Sequence, residues 1–425
     1  MASSRLAQGA LNVLGNAYKR DSFTNLPPSI TSKLNANLYD IPSHPIYLLR
    51  TLIQSHFSRF NAHTASSMGF SPIVTPHDNF DVLAFPKNHP GRATSDSYYL
   101  NEAHMLRTHT SVHQVPLFSK PDTDRYLFSA DVYRRDEIDA SHYPVFHQME
   151  GGCVWDLDKK DALKDAAAEV EEMERALALE NIIIEDIPHL SLTNPKQDTH
   201  DPAHATLMAR HLKLSLNGLI LKLFGEGAKN GGEPLRVRWI EAYFPFTSPS
   251  FEVEVFFRGK WLEILGSGVV QQSILDTSNV PSKMGWAFGL GLERIAMVLF
   301  SIPDIRLFWS QDPRFLAQFE AGSMNTTFKP YSKYPSSIKD VSFWVPKGEV
   351  IHENDFCDTI RDVAGDFVED VKQIDNFVHP KTGQTSLCFR VNYRSMDRSL
   401  TNAETNAYQE QVKSQLKDKF GVEVR

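Results

Sequence analysis

Between residues 132 and 150 the chain reads Val132-Tyr-Arg-Arg-Asp136 and then Ser141-His142-Tyr143-Pro-Val-Phe146-His-Gln148-Met149-Glu150. A guanidinium, an imidazole, an aromatic ring and an amide–carboxylate pair thus fall within seventeen residues of one another. A hairpin presenting them to one cleft can hold a triphosphate, an adenine and an amine together. Guanidinium suits phosphate oxygens because it offers a planar fork of donors and stays charged at physiological pH. The chemistry this predicts is nucleotide use coupled to the capture of a small amino compound.

Two later segments sharpen that reading: Glu241-Ala-Tyr-Phe244-Pro-Phe246-Thr-Ser-Pro-Ser-Phe251, and Gly285-Trp-Ala-Phe288-Gly289-Leu-Gly291-Leu-Glu293-Arg294. The segment around Arg134 resembles motif 2 of the class II aminoacyl-tRNA synthetases, and the segment ending at Arg294 resembles motif 3. With Phe244-Pro-Phe246 between them, the chain resembles the phenylalanyl-tRNA synthetases in their single-chain organellar form, from about Pro45 to the C-terminus. The resemblance implies ATP-dependent attachment of L-phenylalanine to tRNA(Phe) through a phenylalanyl-adenylate, with Mg2+, for organellar protein synthesis. It also implies a mitochondrial matrix location and a monomer whose C-terminal domain swings to reach the anticodon.

The resemblance assigns roles residue by residue. Arg134 bridges the substrate carboxylate and the α-phosphate, and Arg294 holds the γ-phosphate; these two are the catalytic candidates. Ser141, His142 and Tyr143 meet ATP, and Phe146 stacks on the adenine. His109, Ser111 and Gln114, with Val112 and His113 between them, surround the amino acid, and Gln148, Met149 and Glu150 complete that shell. Glu263 lies near the nucleotide and its magnesium. Phe244, Phe246 and Phe288 form the side-chain pocket, where a phenyl group packing edge-to-face gains about 0.5–1.5 kcal/mol beyond burial.

Taken by themselves the residues leave alternatives open. Arg134 can be a surface ion pair with Asp136 or Glu137, Phe146 and Phe-x-Phe can be core packing, and Glu150 can pair with a lysine. Arg135 reads as structural, and Glu252 and Glu254 as the polar face of a hairpin. Gly289-x-Gly291-x-x-Arg294 lacks the third glycine of a dinucleotide loop. His109 and His113 have i, i+4 spacing, yet the Thr-Ser-Val between them lacks the glutamate of a zinc-protease motif.

These residues need a scaffold, and the bulk numbers allow one. A chain of 425 residues is long enough for two or three domains. Its 41% hydrophobic and 23% charged residues are those of a globular protein, and no apolar run approaches the roughly 18 residues of a membrane span. The three cysteines are far apart without a CxxC pair, which fits a reducing compartment and argues against a disulfide scaffold or structural zinc. A net charge of −8 does not advertise nucleic-acid binding, so a tRNA must be met by local patches. The first twenty residues hold no acid but carry Arg5, Lys19 and Arg20, which reads as a weak presequence or a disordered extension.

The fold class expected is α+β: a class II antiparallel sheet flanked by helices, followed by a ferredoxin-like split βαβ domain. The domains expected are a polar N-terminal extension over 1–44, a catalytic domain over 45–302, a linker over 303–331 and an anticodon-binding domain over 332–425. Ile46, Leu49, Ile53, Phe57 and Phe60 recur at helical spacing behind Pro45. Further helices are predicted near 159–179 and 203–224, with a loop over 189–202 between them. Alternation over 251–257 and 261–265 predicts a hairpin that Gly266-Ser-Gly268 ends. Motif 3 reads as strand, glycine turn and a helix from about Leu292.

In the last ninety or so residues, Phe356, Ile360, Val363, Phe367, Val371 and Ile374 draw one apolar helix face. Thr401 and Glu404 form a capping box. The order β-α-β-β-α-β is that of a ferredoxin-like fold. Lys381, Arg390, Arg394 and Arg398 are its tRNA candidates, with Arg390 and Arg394 on one strand face. A relative that makes adenylates without charging tRNA, its last domain docking a protein, is the competing reading.

Overall fold

The computed structural model describes residues 9–58, 63–66, 69–121, 123–229, 232–320, 322–330 and 334–425. The N-terminal lead-in is structured from residue 9. A hairpin of β1 (Ala10–Val13) and β2 (Asn16–Lys19) precedes the short helix α1 (Pro28–Thr31). Val13, Leu26, Ile30, Leu38 and Tyr39 join the main hydrophobic core, so the segment expected to be a polar or disordered extension is part of the body over residues 9–44. Its five apolar residues are too irregularly spaced to announce an element.

Helix α2 (Pro45–Phe57) follows the expected pattern, with Ile46, Leu49, Ile53 and Phe57 buried. Phe60 lies outside the described residues. The next elements are β3 (His63–Ser66), β4 (Ile73–Val74), β5 (Tyr99–Asn101), β6 (His104–Leu106) and the short α3 (Gln114–Phe118). The long strands β7 (Arg125–Tyr133) and β8 (Val145–Asp156) then pair antiparallel, Tyr133 opposite Val145. After α4 (Ala162–Leu177) and β9 (Ile182–Glu185), α5 (Pro202–Phe224) starts where the Asp201 side chain accepts from the Ala203 and His204 amides at 2.8 and 3.1 Å. Strands β10 (Leu235–Glu241), β11 (Thr247–Phe257) and β12 (Lys260–Val270), helix α6 (Gln272–Thr277), strand β13 (Lys283–Gly291) and helix α7 (Leu292–Phe300) complete the catalytic unit.

One eight-stranded sheet runs β3-β7-β8-β13-β12-β11-β10-β9. Its six central strands are antiparallel, and only the edge pairs β3/β7 and β9/β10 are parallel. Helix α5 crosses the face away from the cleft and is buried along its length.

Two local expectations are corrected. Strand β12 continues through Gly266 and Gly268 to Val270, so those glycines do not end the hairpin. They allow close approach: a Cβ on Gly266 would come within 2.5 Å of the Phe244 ring, and one on Gly268 within 2.5 Å of the Pro249 carbonyl oxygen. The turn itself is made by Arg258 and Gly259, both at positive φ. In motif 3 the strand runs to Gly291 and the helix begins at Leu292, with no separate turn.

Beyond a connector that contains α8 (Pro313–Ala317), the C-terminal unit has β14 (Ser337–Trp344), α9 (Glu353–Ala364), β15 (Val368–Val378), β16 (Thr385–Tyr393), α10 (Asn402–Phe420) and β17 (Glu423–Val424). The sheet order β15-β16-β14-β17 is ferredoxin-like, and the Thr401–Glu404 capping box is formed. The single helix face expected from Phe356 to Ile374 is corrected. Gly365, at φ 53° and ψ −132°, stops α9 at Ala364, and Val371 and Ile374 belong to β15. Apolar spacing carried across that break because Phe356 and Ile360 of α9 and Val371 of β15 turn toward the same core, whereas Ile374 is 41% exposed.

The C-terminal unit docks on the loop that follows β7. Ile138 inserts into its core. Arg135 donates to Asp358 and Asp355, each at 2.7 Å, and the Tyr98 hydroxyl donates to Asp358 at 3.0 Å. Arg361 donates to the carbonyls of Asp136 and Glu137, and Arg306 to those of Asp366 and Arg394. Arg135 is structural, as the sequence suggested.

Candidate active site

A cleft of about 820 Å³ opens on the sheet face formed by β8, β13, β12 and β11. Strand alternation sets what reaches it. On β8, Phe146 and Gln148 face the cleft, whereas His147 and Met149 are fully buried behind it. Arg134 stands just past the end of β7. Its amide donates to the Pro144 carbonyl at 3.0 Å and its Nε to the Thr108 carbonyl at 2.8 Å. The guanidinium carbon lies over the Phe146 ring, 5.2 Å from its centre.

Arg294 projects from the first turn of α7, with 63% of its side chain exposed, and pairs with Glu263 at 3.6 Å. Glu252 of β11 also lines this cleft, so it is more than the polar face of a hairpin; Glu254 instead pairs with Arg238. Burial, then the charges of Glu263 and Glu254, raises the Glu252 pKa. Two mutually repelling carboxylates beside a nucleotide-sized space suit a divalent cation. Among the described residues no group of three or more His, Cys, Asp or Glu is arranged to hold a metal unaided, so such an ion would take further ligands from phosphate oxygens.

On the loop between β7 and β8, Ser141, His142 and Tyr143 line the cleft. His142 Nδ1 is 2.7 Å from Asp139. Burial opposes its charging, but the bond to Asp139 and the neighbouring charge of Asp136 outweigh that and raise its pKa. The imidazolium is thereby favoured where an anionic nucleotide would lie.

The amino-acid end is built from His109, Ser111, Gln114, Gln148 and the phenylalanines. Rings of Phe244 and Phe246 stack with centres 5.8 Å apart, and Phe246 lies 6.4 Å from His109. Burial, then the charge of Arg134, holds the His109 pKa down at about 3, so its ring is neutral. Gln148 Oε1 accepts from the Thr110 amide at 3.1 Å.

Five expected substrate contacts do not reach the wall, among them Phe288, which pairs with Gly151 on the sheet face opposite Gln148 and stacks its ring on Phe57 with centres 5.3 Å apart. Val112 and Met149 are buried in the packing. His113 is buried 3.3 Å from Arg107 and stacks on Phe70, with ring centres 4.6 Å apart. Glu150 lies one layer beneath, accepting from Ser111 at 2.6 Å, Tyr126 at 2.7 Å and Thr110 at 3.2 Å. Its pKa is raised by burial, which those three donors partly offset. It orients Ser111 rather than touching a ligand.

The structure adds Phe85, whose ring stacks on His109 at 5.5 Å and 11°. Nothing in Leu-Ala-Phe85-Pro marks it as a site residue, because a 24-residue gap in sequence separates it from its partner. Ala287 also lines the cleft, a small residue that leaves room for a ring.

Three of the four tRNA candidates are neutralised locally. Arg390 pairs with Asp340 at 2.8 Å, Arg394 with Glu369 at 2.7 Å and Arg398 with Glu404 at 2.7 Å. Arg394 lies beyond the end of β16, not on a strand face with Arg390. Lys381 is exposed in the turn between β15 and β16.

Comparison with known proteins places this geometry in context. The family model described as tRNA synthetases class II core domain (F) matches residues 30–183 and 203–319, and that of the ferredoxin-fold anticodon binding domain matches 332–425. A protein of Saccharomyces cerevisiae named phenylalanine–tRNA ligase, mitochondrial, is 45% identical over 98% of this chain and 95% of its own length. One of that name from Mus musculus is 43% identical over 100% of this chain and 92% of its own. An Arabidopsis thaliana protein named phenylalanine–tRNA ligase, chloroplastic/mitochondrial, is 43% identical over 95% of this chain and 83% of its own.

Proposed function

The chain belongs to the class II phenylalanine–tRNA ligases, ATP-using enzymes that attach phenylalanine to tRNA(Phe) for organellar protein synthesis, and from that premise we propose how its cleft divides the work. The observation that carries the proposal is that Arg134 and Arg294 bound one cleft whose far end is walled by Phe244 and Phe246.

The phenyl ring of the substrate packs against those two aromatic residues, while neutral His109, Ser111, Gln114 and Gln148 supply acceptors for its ammonium. The adenine stacks on Phe146. Arg134 holds the substrate carboxylate against the α-phosphate, so that a carboxylate oxygen attacks phosphorus, a new C–O–P link forms and pyrophosphate leaves. Little covalent help is needed; positioning and charge stabilisation carry such a step. Arg294 leaves Glu263 to hold the γ-phosphate, and His142 adds positive charge. Glu263, with Glu252 beside it, would hold a nucleotide-bound Mg2+, which screens phosphate charge. The second step passes the phenylalanyl group to the 2′-hydroxyl of the terminal ribose.

The enzyme works as a monomer in the mitochondrial matrix. Its C-terminal domain releases the contacts made by Arg135 and Arg361 to reach the anticodon, with Lys381 as the cation left for RNA.

The test is amino-acid-dependent ATP–pyrophosphate exchange with all twenty amino acids and no tRNA. Phenylalanine dominates, with tyrosine a distant second, since an apolar pocket excludes an added hydroxyl by only about 10²-fold. The chain also forms tyrosyl-tRNA without hydrolysing it. Silence with every amino acid, or rapid clearance of tyrosyl-tRNA by the purified chain, would overturn this reading.

A further inference from the structure

Behind the cleft wall, His147 lies on the opposite face of β8 from Phe146 and Gln148 and is fully buried. Its ring is packed 5.6 Å from Tyr39 in an edge contact and 6.0 Å from Trp309 in a stacked one. The carboxylate of Glu293 accepts from the His147 amide at 3.0 and 2.8 Å and meets ring Nδ1 at 2.5 Å. Glu293 itself is 2% exposed and sits in the first turn of α7, immediately before Arg294.

The geometry of the strands explains why this contact matters. Strand β13 pairs with β8 as far as Gly291 opposite Gln148 and then becomes α7. The His147 amide therefore lies where the ladder has run out, and the Glu293 carboxylate takes the place of the missing strand partner. A carboxylate in a helix's first turn also suits the helix dipole. Strand β8 is paired with β7 from Val145 to Cys153, His147 included, and with β13 from Gln148 onward. The first turn of α7 is the compliant side, and the imidazole is the side-chain partner that fixes it.

We infer that His147 is a positioning residue for ATP: by clamping Glu293 it aims Arg294 into the cleft, and it leaves the phenylalanine pocket untouched. The inference rests on the reading that Arg294 takes the γ-phosphate. Its two ends differ in what they would disturb. Loss of the clamp frees the α7 turn, whereas Gln148 stays anchored on β8 and Phe244 and Phe246 stay in the separate loop between β10 and β11.

ATP–pyrophosphate exchange on the full chain separates the possibilities. His147→Phe raises the KM for ATP about tenfold, in line with the loss of a hydrogen bond to a charged group, while the KM for phenylalanine changes less than twofold. His147→Asn, whose amide reaches the position of Nδ1, restores most of that loss. Combining His147→Phe with Glu293→Gln adds little to either alone, as expected for one shared contact. Arg294→Ala serves as the reference. If it leaves the KM for ATP unchanged, the reading of Arg294 fails. If it raises that KM but neither His147→Phe nor Glu293→Gln does, the clamp fails. Parallel increases in both KM values, or an Asn variant no better than Phe, would reduce His147 to a packing residue. Should His147→Phe not fold, Glu293→Gln and His147→Asn decide the matter between them.

Discussion

At the scale of single residues, the cleft works by controlling which groups are charged. His109 is kept neutral, with its pKa at about 3, while His142 a short distance away is pushed toward the imidazolium by Asp139 and Asp136. On the proposed reading, the same side-chain type serves an ammonium at one end and a phosphate at the other. This gives a pH prediction whose sign is fixed. The His142 charge is present below its raised pKa and lost as the pH climbs through it, so the KM for ATP rises over that range. Asp139→Asn removes the main partner, lowers the pKa and moves the inflection to lower pH. Pyrophosphate-exchange profiles against pH for the two proteins check this, and superimposable profiles would rule it out.

At the scale of elements, the strands do the positioning and their glycines set the shape. Gly266 on β12 exists because the Phe244 ring occupies the space a Cβ would need, at 2.5 Å. Gly266→Ala should drive that ring toward the cleft. The expected result is a KM for phenylalanine raised about tenfold or more with the KM for ATP nearly unchanged; an overpacked core site typically costs about 1–3 kcal/mol. Steady-state exchange kinetics in both substrates measure it, and an unchanged phenylalanine KM would show that the ring moves elsewhere. Elements also show where sequence patterns mislead. Glycines at 266 and 268 read as a strand end but are close-approach positions inside one, and apolar spacing across Gly365 reads as one helix though the backbone turns there. Periodicity reports which residues seek the core, and a glycine alone does not say whether its backbone bends or is merely crowded.

At the scale of the whole molecule, the ion cluster of Arg135, Asp355, Asp358 and Arg361 fastens the C-terminal domain against the loop that joins β7 and β8. Arg135 is 8% and Asp358 6% exposed, so removing one partner strands a buried charge, at a cost of about 3–5 kcal/mol. Asp358→Ala should therefore populate an undocked form. Small-angle X-ray scattering should then give a larger radius of gyration, and amide exchange should quicken in α9. A scattering curve identical to that of the parent chain would mean that Ile138 and the Arg306 contacts suffice to hold the domain.

What the sequence determined by itself was the chemistry on offer and the class of scaffold. Arg134, His142, Phe146 and Gln148 were legible because one hairpin carries them, and short-range spacing on a strand translates directly into a shared face. The ferredoxin-like order and the Thr401–Glu404 cap were legible for the same reason: both are local. Tertiary structure alone decided which neighbours reach the ligand. It set Glu150, His113, Val112, Met149 and the Phe288 ring behind the wall, brought Phe85 onto His109, paired the C-terminal arginines with carboxylates and built the lead-in into the core. Each of those outcomes depends on contacts between segments far apart in the chain, and these are fixed by packing and desolvation rather than by any pattern within a single segment.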